Sequence, residues 1–344
     1  MRAVMFHEYG EPDVLQVGTA TNPIAGPNEV VVELGAIGVN HVELDVRDGS
    51  SRFDIELPHI PGMEGAGTVI EVGSDVTTLK VGQRVAMTYL RTCDACAECM
   101  SGNEIFCPTR TLLGWQIQGT YAERIAVPAS MCLPIADSLS FQSAAASIVT
   151  LGSAWHALTS RAQVKVGETV LIHSIGSGVG TAGLQICKKA GARVIGTVGS
   201  DAKIQQALDA GADHVFNHQS HDFVEEVMAY TQGRGVDVVL DMVGGEAFAR
   251  SMFAMRPNGR LVTVGAHGGE VVELDVISFF RNHVTYMGSH SMSRLELGKV
   301  LELLADGTFV PEIHGVYPLE EASEAHRLLT NRENFGKVLL DPSL

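Results

Sequence analysis

The sequence predicts an α/β protein, with a doubly wound parallel sheet in its second half and a compact β domain in its first. Three observations carry that prediction. Residues 1 to about 150 are rich in β-branched residues broken by Gly and Pro. From about Ala144 near-continuous apolar strands alternate with helical runs, and a glycine-rich turn sits between one such strand and the next helix.

In the first part, NEVVVELGAIGVN, GAGTVIEVGSDV and VGQRVAM read as short strands joined by tight turns. AAASIVTLGSAWHAL is then a helical run, followed by the fully apolar strand of ETVLIHS. A glycine turn, the helix TAGLQICKKA, the strand ARVIGTV and another helix come next, and ADHVFN, VDVVLDMV and GRLVTVG supply further buried strands. After about His290 come a helix (SRLELGKVLELLADG), a turn, another helix and a last strand, GKVLL. No internal repeat or low-complexity linker interrupts this order. The expected domains are 1–150 with 291–344, and 151–290, packed along a cleft that is the default site.

The bulk numbers narrow the function. Of 344 residues, 45% are hydrophobic and 19% charged, the composition of a soluble globular protein. A net charge of −16 argues against nucleic acid or an anionic membrane as the main partner. No basic start precedes an apolar run, and no apolar run approaches the roughly 20 residues of a membrane span, so no signal peptide or anchor is expected. Six cysteines in such a chain fit a reducing cytoplasm, where clustered thiols more often hold metal than form disulfides.

In HSIGSGVGTAG, Gly176, Gly178, Val179 and Gly180 form a turn whose backbone can approach a pyrophosphate at the helix N-terminus. Placement inside a βαβ unit is what makes the string informative. In an NAD-binding unit an acidic residue commonly ends the second strand; here that position is Val198, with Ser200 and Lys203 just beyond. A hydroxyl and a cation there favour the 2′-phosphate of NADPH. The plainer alternative is that Lys203 is a solvated helix residue.

Cys93, Cys96, Cys99 and Cys107 lie within the stretch 91–108 at intervals of two, two and seven residues. Four thiolates complete a tetrahedral zinc shell and leave no position for water or substrate. One structural zinc per chain is expected; a metal-free loop, reduced or disulfide-bonded, is the alternative.

The β domain, the cysteine lobe, the glycine turn and the ending NFGKVLL together resemble the medium-chain dehydrogenase/reductase superfamily, which includes zinc alcohol dehydrogenases and quinone oxidoreductases. The resemblance covers essentially the whole chain. It implies a GroES-like domain, completed by the C-terminal segment, beside a Rossmann domain, and a homodimer through the strand in HVTYMGS, with a tetramer also open. Where zinc-catalytic members carry three metal ligands, this chain has Asn40, Met63 (followed by Glu64) and Val149. These cannot form an open zinc site. A site rebuilt from His41, Glu43 or Asp45 stays open as an alternative.

By the same resemblance, Asn40 is a candidate hydrogen-bond donor to a substrate oxygen, Tyr89 a pocket phenol able to bind or protonate a carbonyl oxygen, and Asp45 a proton-relay carboxylate. Packing explains Tyr89 equally well, and Asp45 is also explained as an exposed helix-start carboxylate. Trp115 and Tyr121 read as pocket wall or core. On the cofactor side the resemblance points to His41 at the pyrophosphate, and to Ser153, Gly265 and Ala266 beside the nicotinamide. Gly288 and Ser289 should face the carboxamide, Lys337 should reach the phosphates, and His218 stands near the adenosine phosphate.

Reducing a simple ketone places charge on one oxygen, which zinc or a strong donor must stabilise. Reducing an activated alkene or a quinone spreads that charge through an enolate or phenolate. Loss of the metal ligands beside an intact nucleotide turn therefore favours an NADPH-dependent reductase of a carbonyl-conjugated small molecule. The alternatives are an alcohol dehydrogenase or carbonyl reductase working through side-chain donors, and a non-catalytic NADPH-binding sensor.

Overall fold

The computed structural model describes residues 1–344. The chain forms two units: Met1–Val149 with Ser293–Leu344, and Thr150–Met292. No helix is long and apolar enough to cross a membrane.

The second unit is a six-stranded sheet. Its order is His214–Asn217, Arg193–Val198, Thr169–Ile172, Val236–Asp241, Met255–Thr263 and Thr285–Gly288. Every pair is parallel. The first strand in sequence lies in the middle, so the chain winds outward both ways and creates a switch point at its C-terminal end. The strands read as apolar runs because both faces are covered: Leu171, Val239 and Leu261 have no exposed surface. Strand Thr285–Gly288 pairs on one side only.

The first unit is built on a seven-stranded sheet. Strand Glu29–Val39 is central, flanked by Lys337–Asp341 and Glu64–Val72, and also paired with Arg124–Pro128. Register opposes Val338 to Val39 and Glu64 to Gly38. Three neighbouring strands thereby bring Lys337, Asn40 and Glu64 to one place, although they are far apart in sequence.

Two elements differ from the sequence expectation. The turn expected near the C-terminus holds a further strand, Ile313–Pro318, at the sheet edge. Its half-exposed, glycine-containing run lacks the apolar alternation that marks a strand. The helical run after Ala144 is also not continuous. Helix Phe141–Ser147 stops, Thr150–Trp155 begins after two residues, and a π-turn follows over His156–Arg161.

Candidate functional sites

The glycine turn follows strand Thr169–Ile172 and opens the helix Gly178–Lys189. Ser174 takes a left-handed conformation (φ 52°). Two bonds to the neighbouring strand pin the turn: Ser174 N to Thr197 Oγ1 (3.0 Å) and Ile175 N to Thr197 O (2.9 Å). Ser177 caps the helix by accepting from Gly180 N at 3.0 Å. A Cβ on Gly180 would lie 2.5 Å from Ser174 O and 2.7 Å from Ile175 O, so only glycine fits. The amides of Gly178 and Val179 thus stand at the N-terminus of a 12-residue helix, a ready anion site, while that of Gly180 is taken by the Ser177 cap. Behind the turn, His173 is buried and bonded to Ser251 Oγ at 2.9 Å. Burial, then the charge of His218, pushes it down to about 4 and keeps it neutral.

Val198 is the last residue of the second strand and is buried. Ser200 follows, and Lys203 lies in the first turn of helix Ala202–Asp209. His218 joins them: its N–H donates to Val198 O at 3.0 Å, and its ring Nε2 is 3.7 Å from where a Cβ on Gly199 would stand. The carboxylate of that turn, Asp201, accepts from Asn217 Nδ2 at 2.8 Å. Sequence reasoning passed over Asp201.

Toward the other edge of the sheet, at the same C-terminal end, Gly265 and Ala266 follow strand Met255–Thr263. A Cβ on Gly244 (φ 71°) would be 2.7 Å from Ala266 Cα, which makes this a close backbone crossing. Gly288 ends the edge strand, and Arg161 Nε donates to its carbonyl at 3.1 Å. Ser289 N donates to Thr263 O at 2.9 Å, while the Ser289 hydroxyl is buried with no hydrogen-bond partner. A buried hydroxyl without a partner fits a ligand that supplies one. Ser153 lies half-buried on Thr150–Trp155.

In the first unit, Asn40 precedes helix His41–Asp48 and bonds both ways around its start. Its N–H donates to Glu43 Oε2 at 2.7 Å, and its amide Nδ2 donates to Glu64 Oε1 (2.9 Å) and Glu43 Oε1 (3.3 Å). Its Oδ1 accepts from Lys337 Nζ at 2.5 Å. Both amide protons are therefore committed to carboxylates, and none is left for a substrate oxygen. That corrects the donor role expected of Asn40.

Lys337 is corrected in the same way. Its ammonium, 4% exposed, pairs at 2.5 Å with Glu64 Oε1, whose side chain has no exposure. It is an internal counter-ion and does not extend to solvent or to phosphates. Glu64 Oε2 accepts from Val149 N at 2.6 Å. Asn40, Met63 with Glu64, and Val149 thus surround an ion pair.

Glu43 continues the network. It accepts from Met63 N (2.8 Å) and from the Tyr121 hydroxyl (2.8 Å) besides Asn40. Burial pushes its carboxyl up, opposed by Lys337 and these donors. All its neighbours donate, the pattern of an ionised carboxylate. Tyr121 also meets His326 Nε2 at 3.1 Å, and Arg47 Nη1 meets His326 Nδ1 at 3.3 Å. Arginine only donates, so Nδ1 is the acceptor and Nε2–H points to the tyrosine oxygen. Burial, then Arg47 and His41, pushes His326 down to about 3, which holds it neutral. Tyr121 is raised well above its ordinary value by burial and then by Glu43. It is a core residue.

Tyr89 is buried between strands Arg84–Met87 and Leu90–Arg91, and its carbonyl accepts from Leu113 N at 2.9 Å. His41 and Asp45 are both half-buried; Asp45 lies in the second turn of helix His41–Asp48, not at its start.

In the lobe, all four cysteine sulfurs lie within 4.8 Å of one another. The separations are 3.9 Å for Cys93–Cys99, 3.5 Å for Cys96–Cys99 and 3.6 Å for Cys93–Cys107. A tetrahedral zinc with bonds of about 2.3 Å sets its sulfurs roughly 3.8 Å apart, so the cluster fits that ion. Arg294 ties the lobe to the rest of the unit through Asp94 Oδ1 (2.8 Å), Glu104 Oε1 (3.4 Å) and Ser130 O (3.2 Å).

A doubly wound sheet with a glycine turn at a helix N-terminus, and a β unit with a four-cysteine lobe, are features that fit a nucleotide-dependent oxidoreductase. Comparison with known proteins agrees. The alcohol dehydrogenase GroES-like domain matches residues 26–137, and the zinc-binding dehydrogenase family matches 178–306. The chain is 32% identical to an alcohol dehydrogenase of Geobacillus stearothermophilus, over 99% of both chains. Among solved structures, an NAD-dependent alcohol dehydrogenase superposes with a TM-score of 0.92 at 36% identity, covering 99% of each chain. The Escherichia coli quinone oxidoreductase, solved with NADPH, superposes at 0.84 with 30% identity, covering 99% of this chain and 100% of that one. The chain belongs to the medium-chain dehydrogenase/reductase superfamily and is an oxidoreductase.

Proposed function

We propose that the protein is an NADPH-dependent reductase that delivers hydride to an activated C=C bond or a quinone, without a catalytic metal. One observation carries the reading. Where an open metal site would be needed, Asn40, Glu64 and Lys337 form a closed, buried ion-pair cluster. NADPH is supported by Val198 in place of a carboxylate, by Ser200, Lys203 and His218 around the second-strand end, and by the engagement of Asp201 with Asn217. Bound NADPH supplies the hydride. In this reading the glycine turn and His41 hold its pyrophosphate, while Ser153, Gly265, Ala266, Gly288 and the partnerless Ser289 hydroxyl hold the nicotinamide end. Hydride adds to the β-carbon, the alkene electrons move to the carbonyl oxygen as an enolate, and a solvent proton completes the α-carbon. Tyr89 is the proposed donor to that oxygen, with Asp45 as relay. The four cysteines hold one structural zinc.

Similarity to alcohol dehydrogenases favours a second reading, in which the same cofactor reduces a carbonyl through side-chain donors. Stereospecifically deuterated NADPH, offered with enones, quinones and aldehydes, separates the two. Deuterium is expected at the β-carbon of enones. Label at a carbinol carbon instead would establish the second reading, and NADPH left unoxidised by every acceptor would leave only a sensor.

The protein is further proposed to be a homodimer. The open side of strand Thr285–Gly288 supports this, as do Val276, Ile277 and Phe280 on the nearby helix in sequence, each more than half exposed. Native mass spectrometry should find twice the chain mass; a monomer at micromolar concentration would exclude it.

A further inference from the structure

The interruption at Ile148–Val149 is not made by proline or glycine, although Ser147 Oγ back-bonds to Ser143 O and Ile148, Val149 and Thr150 are β-branched, which weakens a helix. Residues 141–155 contain no proline, and their one glycine, Gly152, lies beyond the break. In a continuous helix the Val149 N–H would aim at the carbonyl four residues back. Here it donates to Glu64 Oε2 at 2.6 Å, from a segment 85 residues away. A charged acceptor is strong enough to compete with a helical bond.

What holds that carboxylate is equally specific. Glu64 has no exposure, and a side chain on Gly38 would overlap it, with a Cβ 2.2 Å from Oε1. Its Oε1 is gripped by Lys337 Nζ and by Asn40 Nδ2, and Lys337 also bonds Asn40 Oδ1. A buried carboxylate stripped of its counter-ion loses either its charge or its place.

We infer that Lys337 is a positioning residue: its ammonium pins the Glu64 carboxylate, and Glu64 draws out the Val149 N–H and fixes where helix Thr150–Trp155, with Ser153 on it, begins. The lysine therefore acts two contacts away from its own side chain. Its bearing on the cofactor, through Ser153, rests on the NADPH reading above; its bearing on the helix start does not.

The test is hydrogen exchange over residues 146–152 by mass spectrometry, alongside NADPH titration. Variants K337M, of similar length without charge, and K337A are expected to exchange about tenfold faster there and to bind NADPH about tenfold more weakly, the size of losing a charge-assisted bond. K337R should stay near wild type, and propylamine should restore protection to K337A, a rescue that a merely space-filling lysine would not show. E64D keeps the charge but shortens the reach, so it covers the case in which the lysine variants fail to fold. It is expected to lose protection at Val149 while retaining overall stability. Unchanged exchange in folded K337M, or in E64D, overturns the inference, as does a K337A that propylamine leaves unprotected. If wild type binds no NADPH, the functional reading fails while the exchange result still decides this one.

Discussion

Exchanging Cys107 for serine is expected to lower stability by on the order of 4 kcal/mol and to open the lobe to protease before the rest of the chain, as losing a structural metal does. The reason lies in how little else holds residues 91–112. Their regular structure is a four-residue helix, Ala97–Met100, a three-residue 3-10 turn, Glu104–Phe106, and the short pair Leu90–Arg91 with Thr111–Leu112. Of their large apolar side chains, Met100 (76% exposed) and Phe106 (63%) point outward, and only Ile105 and Leu112 are buried. Cys107 is the one of the four proposed sulfur ligands with no exposure, so its exchange would remove a bond from the best-anchored side of the cluster. Arg294 would keep Asp94 and Glu104 tethered, which localises the opening to the cysteine turns between them. Thermal melting, limited proteolysis between residues 94 and 106, and elemental analysis check this together. Elemental analysis should find about one zinc per chain, since four thiolates close one tetrahedral shell. No zinc, with stability indifferent to a chelator, would return the lobe to a metal-free loop. Two zincs would mean that the Asn40–Glu64–Lys337 cluster had been misjudged.

The lobe was legible because its chemistry is written in short spacing: Cys93 and Cys107 are close in sequence, and so is everything between them. The nucleotide unit was legible for a related reason. A strand such as Thr169–Ile172, buried along its whole length, shows as an apolar run, and the glycine turn follows it directly. The ion-pair cluster was not legible. Tyr121 meets His326 across 205 residues, and Lys337 meets Asn40 across 297. No periodicity signals such a meeting; sheet register creates it. Only one part had a local sign, the Asn-x-x-Glu spacing of Asn40 and Glu43 at a helix start. The break at Val149 was hidden for the same cause: the β-branched run Ile148–Thr150 only weakens a helix, and the competing acceptor arrives from Glu64. Assigning Asn40 to the substrate followed from its position in the chain, and the structure shows that position taken by two carboxylates and an ammonium.

Gly180→Ala is expected to weaken NADPH binding by about a hundredfold or more, roughly 3 kcal/mol, while the first unit stays folded. The added methyl meets backbone carbonyls, at 2.5 Å from Ser174 O and 2.7 Å from Ile175 O, and not a flexible side-chain end. Those carbonyls cannot retreat easily. Ser174 and Ile175 are bound through their N–H groups to Thr197 on the adjacent strand, and a Cβ on Gly196 of that strand would already stand 2.6 Å from the Ile175 side chain. The helix start must therefore move, and with it the Ser177 cap on Gly180 N. A shift of a few tenths of an ångström to an ångström in the amides of Gly178 and Val179 takes them off the phosphate oxygens they would address, and hydrogen bonds to an anion fall steeply with misalignment. Lost affinity can be told from lost folding by melting each protein with and without NADPH. Wild type should gain stability as ligand rises above its Kd, and the variant should gain almost none at the same concentration. A variant that melts normally without ligand but still binds NADPH within threefold of wild type would show that the turn is not where the cofactor is held.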